Sequence, residues 1–271
     1  MAYTSDQLIL IGDQLGRVYQ RAQVEILEQI ISAQTSDWKR SFLEQRLTQI
    51  EQILNGLGQA DADWQTRHLR ELYTNGIKSA DAGLRGVRGV APPPRVLASI
   101  HQSSINVLSE QMALSLGEAR AMVGRQVEDL FRRAALESIR TETAIGGTAR
   151  DAAKRMVQTW EQKGITAFQD VRGNQWGLDT YANMVARTTT REATNQGLKN
   201  RLSERGRDLV EITRHGGECE KCQEALDSLG EIYSLSGNSE RYPALDEAEA
   251  LGLFHPNCVH VPVPYIETEA A

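Results

Sequence analysis

Five side chains able to hold a metal, Cys219, Cys222, His255, Cys258 and His260, fall near the end of this chain in two clusters, C-x-x-C and H-x-x-C-x-H. No other feature constrains the fold as strongly. Two cysteines two residues apart can grip one ion from a tight turn, and a second pair from a distant segment closes a tetrahedral shell and ties the segments together. His215 lies just upstream as a further candidate. The stretch between the clusters carries Gly230, Gly237, Asn238 and Pro243 and reads as a loop-rich segment. Such a segment is expected to bury little apolar surface, leaving the metal to supply folding energy.

All three cysteines lie here, and an odd number does not make a disulfide framework. A catalytic zinc keeps three protein ligands and an open position, whereas this set offers four or more donors, three of them thiols. The zinc is therefore expected to be structural, with no catalytic residue. There is no H-E-x-x-H and no H-x-E paired with P-C-x-x-C, which argues against a zinc protease and a base deaminase. Three other readings stay open. The cysteines are reduced and unrelated to the histidines, the C-x-x-C is a redox pair, or His215 or His255 serves a zinc-dependent nuclease or transferase.

Upstream, the chain reads as helical. Leu8, Ile11, Leu15, Val18 and Ala22 follow three-four spacing, and Ile26, Leu27, Ile30 and Ile31 extend it with a shift of phase. Thr35-Ser36-Asp37 offers caps for a second helix, expected to end at Gly56 and Gly58, with a third over 63–79. Glycines 83, 86 and 89 and Pro92-Pro93-Pro94 mark the clearest break, expected to insulate the helices before it and to let them reorient. Helices are predicted again over 95–116 and 118–143, then after Gly146-Gly147 from Thr148. A strand at 165–168, a turn at Arg172-Gly173-Asn174, a helix from Asp179 to Asn200 and strands at 208–213, 231–235 and 259–263 complete the reading. The fold class is a mostly α N-terminal helical region followed by a small zinc-stapled α+β C-terminal domain. The boundaries are 1–146 for the helical arm or bundle and 147–271 for the zinc-binding domain.

The net charge of −6 disfavours a protein that coats nucleic acid, leaving a zinc-bearing nucleic-acid module as a minor alternative. No apolar run approaches the roughly 20 residues of a membrane span, and Met1 to Asp6 lacks a signal-peptide layout, so a cytoplasmic origin is expected.

Residues 176–265 resemble the phage minor capsid family of the Mu F-like head-morphogenesis group. The likeness is carried by Tyr181-Ala-Asn-Met-Val-Ala-Arg187-Thr-Thr, Gly206, the C-x-x-C, Tyr233-Ser-Leu-Ser-Gly237 and Gly252-Leu-Phe-His-Pro-Asn-Cys258-Val-His260. The chain departs at Val259, where the family usually has Arg, and at His260, where relatives end in Cys. That exchange implies a metal-binding role for position 260. The expected zinc shell is therefore Cys219, Cys222, Cys258 and His260, with His255 the leading substitute for His260. The resemblance implies a structural, non-enzymatic protein of a tailed phage or prophage. Such a protein would bind the portal and other head proteins and aid head assembly or genome delivery. The apolar faces of the N-terminal helices, with the 83–94 stretch letting them reorient, are expected to make that contact. Packaged DNA is a further contact, with no membrane and no small-molecule substrate. The implied place is inside the capsid near the portal, after assembly in the host cytoplasm. Arg187 is expected to cap or pair within its domain.

Overall fold

The computed structural model describes residues 3–34, 40–94, 98–143, 167–170, 173–214, 219–256, 258 and 260–267. Four helices dominate: α1 (Ser5–Gln34), α2 (Arg40–Gly83), α3 (Ser99–Thr143) and α4 (Leu178–Glu204). A hairpin of β1 (Ala167–Gln169) and β2 (Gln175–Gly177) precedes α4. After α4 come β3 (Leu209–Ile212), α5 (Glu220–Leu229), β4 (Ile232–Ser234), α6 (Leu245–Leu251) and β5 (Pro262–Pro264). The chain is mostly helical with a few short strands near its end, as the sequence predicts. The expected elements at 35–37, 146–160 and 165–166, and His215, lie outside the described residues.

Two helix boundaries differ from expectation. Gly56 and Gly58 lie inside α2, and Gly117 lies inside α3. A helical glycine costs only about 1 kcal/mol relative to alanine. Burial on either side outweighs that cost. Leu43, Ile50, Leu54, Leu57, Trp64, Leu69 and Leu72 form one buried stripe along α2, and Met112, Leu116, Ala119, Val123 and Val127 form another along α3. On α1 the buried stripe is Leu8, Leu15, Tyr19, Ala22, Ile26 and Ile30, while Ile31 is exposed.

The chain forms two compact units, one of Met1–Gly12, Gln65–Gln111 and Ala186–Ala271, the other of Asp13–Trp64 and Met112–Val185. Within the second, the apolar core encloses one polar cluster. Tyr19 donates to both oxygens of Asp61 at 3.0 and 2.9 Å, and Arg120 donates to Tyr19 Oη at 2.8 Å and to Asp61. Burial pushes the Asp61 carboxyl up to about 6, against the opposing pull of Arg120.

Within the first unit, α2 and α4 cross with backbones in contact. A Cβ on Gly76 would overlap the Thr194 carbonyl oxygen, and one on Gly197 would overlap the Tyr73 carbonyl oxygen. Beside this crossing, Ala80 and Leu84 share a core with Leu198, Leu202, Val210, Ile212, Leu226, Tyr233, Leu245 and Leu253. The expected insulation at 83–94 is therefore absent, because Leu84 of that very stretch is buried with the C-terminal elements. Arginines strap the stretch as well. Arg205 bonds to Ala91 O and Asp81, and Arg207 donates to Arg88 O at 2.9 Å.

The C-terminal sheet has the order β4-β3-β5, all antiparallel, with Val210 opposite Tyr233 and Glu211 opposite Val263. The region called loop-rich from sequence holds α5 and α6. Each is short enough that its apolar repeat is brief, and Ala225, Leu226, Leu245 and Ala248 are buried in the shared core. This module is thus better packed than its glycines and prolines suggested.

Candidate metal centre

The C-x-x-C opens α5. Cys219 is its N-cap residue and exposed, and Cys222 is buried one turn in. At a helix N-terminus the amide groups lack intrahelical acceptors and favour an anion. The backbone N–H of Cys222 leads the influences that hold the Cys219 thiol below its ordinary range. Burial, then the nearby Cys258, pushes the Cys222 thiol up.

The second cluster follows α6. Gly252 takes a left-handed conformation with φ 112° and ends that helix, its neighbour Leu253 donating back to Ala248 O at 3.0 Å. A Cβ at Gly252 would lie 3.3 Å from Lys221 Cβ, so this turn abuts the first turn of α5. Cys258 N then donates to His255 O at 2.9 Å, and β5 pairs with β3 just beyond His260.

All five predicted donors come together. Cys219 Sγ lies 3.0 Å from His255 Nε2, Cys222 Sγ 3.6 Å from Cys258 Sγ, and Cys258 Sγ 3.3 Å from His260 Nδ1. They form two overlapping trios, Cys219–Cys222–His255 and Cys222–Cys258–His260, with atoms in each within 4.8 Å of one another. Bond lengths of about 2.3 Å to sulfur and 2.0 Å to nitrogen place tetrahedral ligand atoms about 3.3–3.8 Å apart. The 3.6 and 3.3 Å spacings are of that size and the 3.0 Å spacing is shorter, so each trio could hold a metal ion, while the shell of Cys219, Cys222, Cys258 and His260 expected from sequence is divided between the two.

Both imidazoles present a ring nitrogen to sulfur. His255 Nδ1 lies 2.7 Å from the Pro256 carbonyl, which can only accept, so Nδ1 carries the proton and Nε2 offers its lone pair towards Cys219. His260 is 3% exposed, beside Cys258. Sequence reasoning missed Arg191 on α4. Burial lowers its pKa, and the nearby Cys258, Glu192 and Cys222 oppose that shift. Its cation lies near the Cys258 and Cys222 sulfurs, and only the packing of α4 on the module reveals it.

The fold and this cluster define a mostly helical protein whose C-terminal module carries a Cys/His cluster that could hold a metal ion. The family model of phage minor capsid protein 2 matches residues 4–269, and the chain belongs to that family. The match extends across the N-terminal helices, where the resemblance read from the sequence was silent. It places the protein among structural components of the phage virion. No curated protein and no solved structure matches the chain. No described helix is long and apolar enough to cross a membrane.

Proposed function

We propose that this protein is a structural, non-enzymatic head protein of a tailed phage, bound near the portal and aiding head assembly or genome delivery. The family match over 4–269 carries this reading. Portal and other head proteins are its partners in the proposal, with packaged DNA a secondary contact. Zinc is the proposed cofactor, held by Cys219, Cys222, Cys258 and His260, with His255 the alternative imidazole. Zinc would supply a rigid four-way crosslink joining the start of α5 to the turn after α6. The helix N-terminus under Cys219 and the β3–β5 pairing beside His260 support this reading.

The test is quantitative mass spectrometry of purified particles, with a pull-down of the full chain by portal protein. A few copies per particle and retention on the portal are expected. Absence from particles, together with failure to bind any head protein, overturns the proposal and directs attention to assays of nuclease activity with zinc and magnesium.

A further inference from the structure

The charges of this chain are unevenly placed. It carries 36 acidic residues and a net charge of −6, yet 82–109 holds none and is its longest stretch without a carboxylate. Within that stretch lies a tandem repeat, Arg85-Gly86-Val87-Arg88-Gly89-Val90. Both glycines take the left-handed conformation, with φ 76° and 71°, so each repeat turns sharply at its glycine. Val87 N donates to Leu84 O at 3.3 Å and closes the first turn. Leu84 belongs to the core of the first unit, and Val90 packs against it. The repeat is thus anchored by apolar side chains, while Arg85 and Arg88 are exposed.

A third arginine turn is bonded to this repeat. Arg205-Gly206-Arg207 has its own left-handed glycine at φ 66°. Arg207 Nη2 donates to Arg88 O at 2.9 Å, and Arg205 donates to Ala91 O. Two of the flanking carboxylates are already matched. Asp81 accepts from Arg201 at 3.0 Å and from Arg205 at 2.6 Å, and Glu204 accepts from Arg201 at 2.9 Å. Arg85, Arg88 and Arg207 are left with one neighbouring carboxylate, Asp208, which accepts from Ser236 N at 2.8 Å. Neither Arg85 nor Arg88 pairs with a carboxylate among the described residues.

The chemistry of the strap selects its ligand. A guanidinium presents a planar fork that matches two phosphate oxygens. A protein partner would need an apolar anchor beside the charges, and Val90 is already committed to the core. Unpaired bases would need an aromatic platform, and 82–109 holds no Phe, Tyr or Trp. A duplex backbone needs only its phosphates met, without any base being read. We infer that the Arg-Gly-Val strap is a sequence-independent contact for double-stranded DNA, in which Arg85 and Arg88 fork onto phosphate oxygens and Arg207 adds charge beside Arg88. That the duplex is the packaged genome rests on the function proposed above, while the phosphate chemistry rests on the strap.

Fluorescence anisotropy of a labelled duplex of about 30 base pairs, titrated with the full zinc-loaded chain in roughly 20–200 mM salt, tests this. Two or three phosphate contacts should make log affinity fall against log salt with a slope of about −2 to −3. Arg85→Ala/Arg88→Ala should weaken binding about tenfold or more and reduce the slope by about 2. Arg85→Lys/Arg88→Lys keeps both charges and should keep the slope. Arg17→Ala/Arg21→Ala removes two exposed charges from α1 and should change affinity by less than about twofold. Circular dichroism and zinc content matching the parent verify that the variants fold. The inference is overturned if the duplex fails to bind at the lowest salt, if Arg85→Ala/Arg88→Ala binds like the parent, or if the α1 variant weakens binding as much. It is also overturned if a single strand or a polyglutamate peptide binds more tightly than the duplex. A chain that enters particles yet fails these tests loses the strap assignment alone. A chain that binds duplex through the strap, is absent from particles and binds no head protein loses the head-protein reading instead.

Discussion

Gly76 on α2 and Gly197 on α4 mark one backbone-to-backbone crossing: the Cβ that either lacks would fall on a carbonyl oxygen of the opposite helix. Thr194, whose own carbonyl blocks Gly76, sends its hydroxyl to Leu72 O at 3.3 Å across the same junction. The crossing sets how deeply α4 sits on α2, and with it the shared core of Ala80, Leu84, Leu198 and Leu202 beneath the metal module.

Gly76→Ala should therefore destabilise the protein despite the helix propensity that alanine gains. That gain is about 1 kcal/mol. Forcing two helix backbones apart costs about 3 kcal/mol or more. Urea unfolding of the variant, compared with Gly56→Ala, measures the difference. Nothing lies within 4 Å of a Cβ at Gly56, so that change should be neutral or stabilising.

The metal centre should hold one zinc per chain. Cys222 belongs to both donor trios, so Cys222→Ser should abolish stoichiometric binding in elemental analysis. Structural zinc contributes on the order of 10 kcal/mol to small modules. Because Ala80 and Leu84 share the module's core, limited proteolysis of this variant should open sites in the C-terminal part of α2 as well as beyond 204.

Zinc binding should release protons. Burial and the neighbouring Cys258 push the Cys222 thiol above its ordinary range, so it is protonated at neutral pH without metal. The ion must displace that proton, and apparent affinity should fall by about tenfold per pH unit for each proton released as pH drops. Competition with a chromophoric chelator between pH 8 and 6 checks the direction, and pH-independent affinity would contradict it.

The two histidines should differ. His260→Ala removes a buried donor beside Cys258, and zinc affinity should fall well beyond tenfold. His255→Ala removes a partly exposed donor and should cost less. The reverse order would make His255 the fourth ligand, a role its Nδ1 contact with Pro256 O equally permits.

Arg120→Met should destabilise the second unit by about 3 kcal/mol at neutral pH, since it leaves Asp61 buried without its cation. The loss should shrink near pH 5. Asp61 already titrates near 6 in the folded protein, above its ordinary 3.8, so its favourable contribution is present at low pH and lost as pH rises through about 6. Without Arg120 that folded value rises further. Thermal unfolding of the variant and the parent at pH 5 and pH 7 tests the sign.

The sequence by itself determined what short-range chemistry can encode. The three-four spacing on α1, the strand pattern at 208–213 and the paired donor spacings of the metal cluster each act over a few residues, so each was legible. Several features were not. Helices α2 and α3 run through glycines that read as stops, because burial on both sides outweighs a local cost of about 1 kcal/mol each. Two short helices hid in a stretch rich in turn residues, because too few apolar positions repeat there to show a period. The crossing at Gly76 and Gly197, the strapping of 83–94 by Arg205 and Arg207, the Tyr19–Asp61–Arg120 cluster and the approach of Arg191 to the thiols join residues roughly 30 to 125 positions apart. No local pattern records such pairs. They exist only once the helices pack, and close packing with full hydrogen bonding of buried polar groups is what selects them.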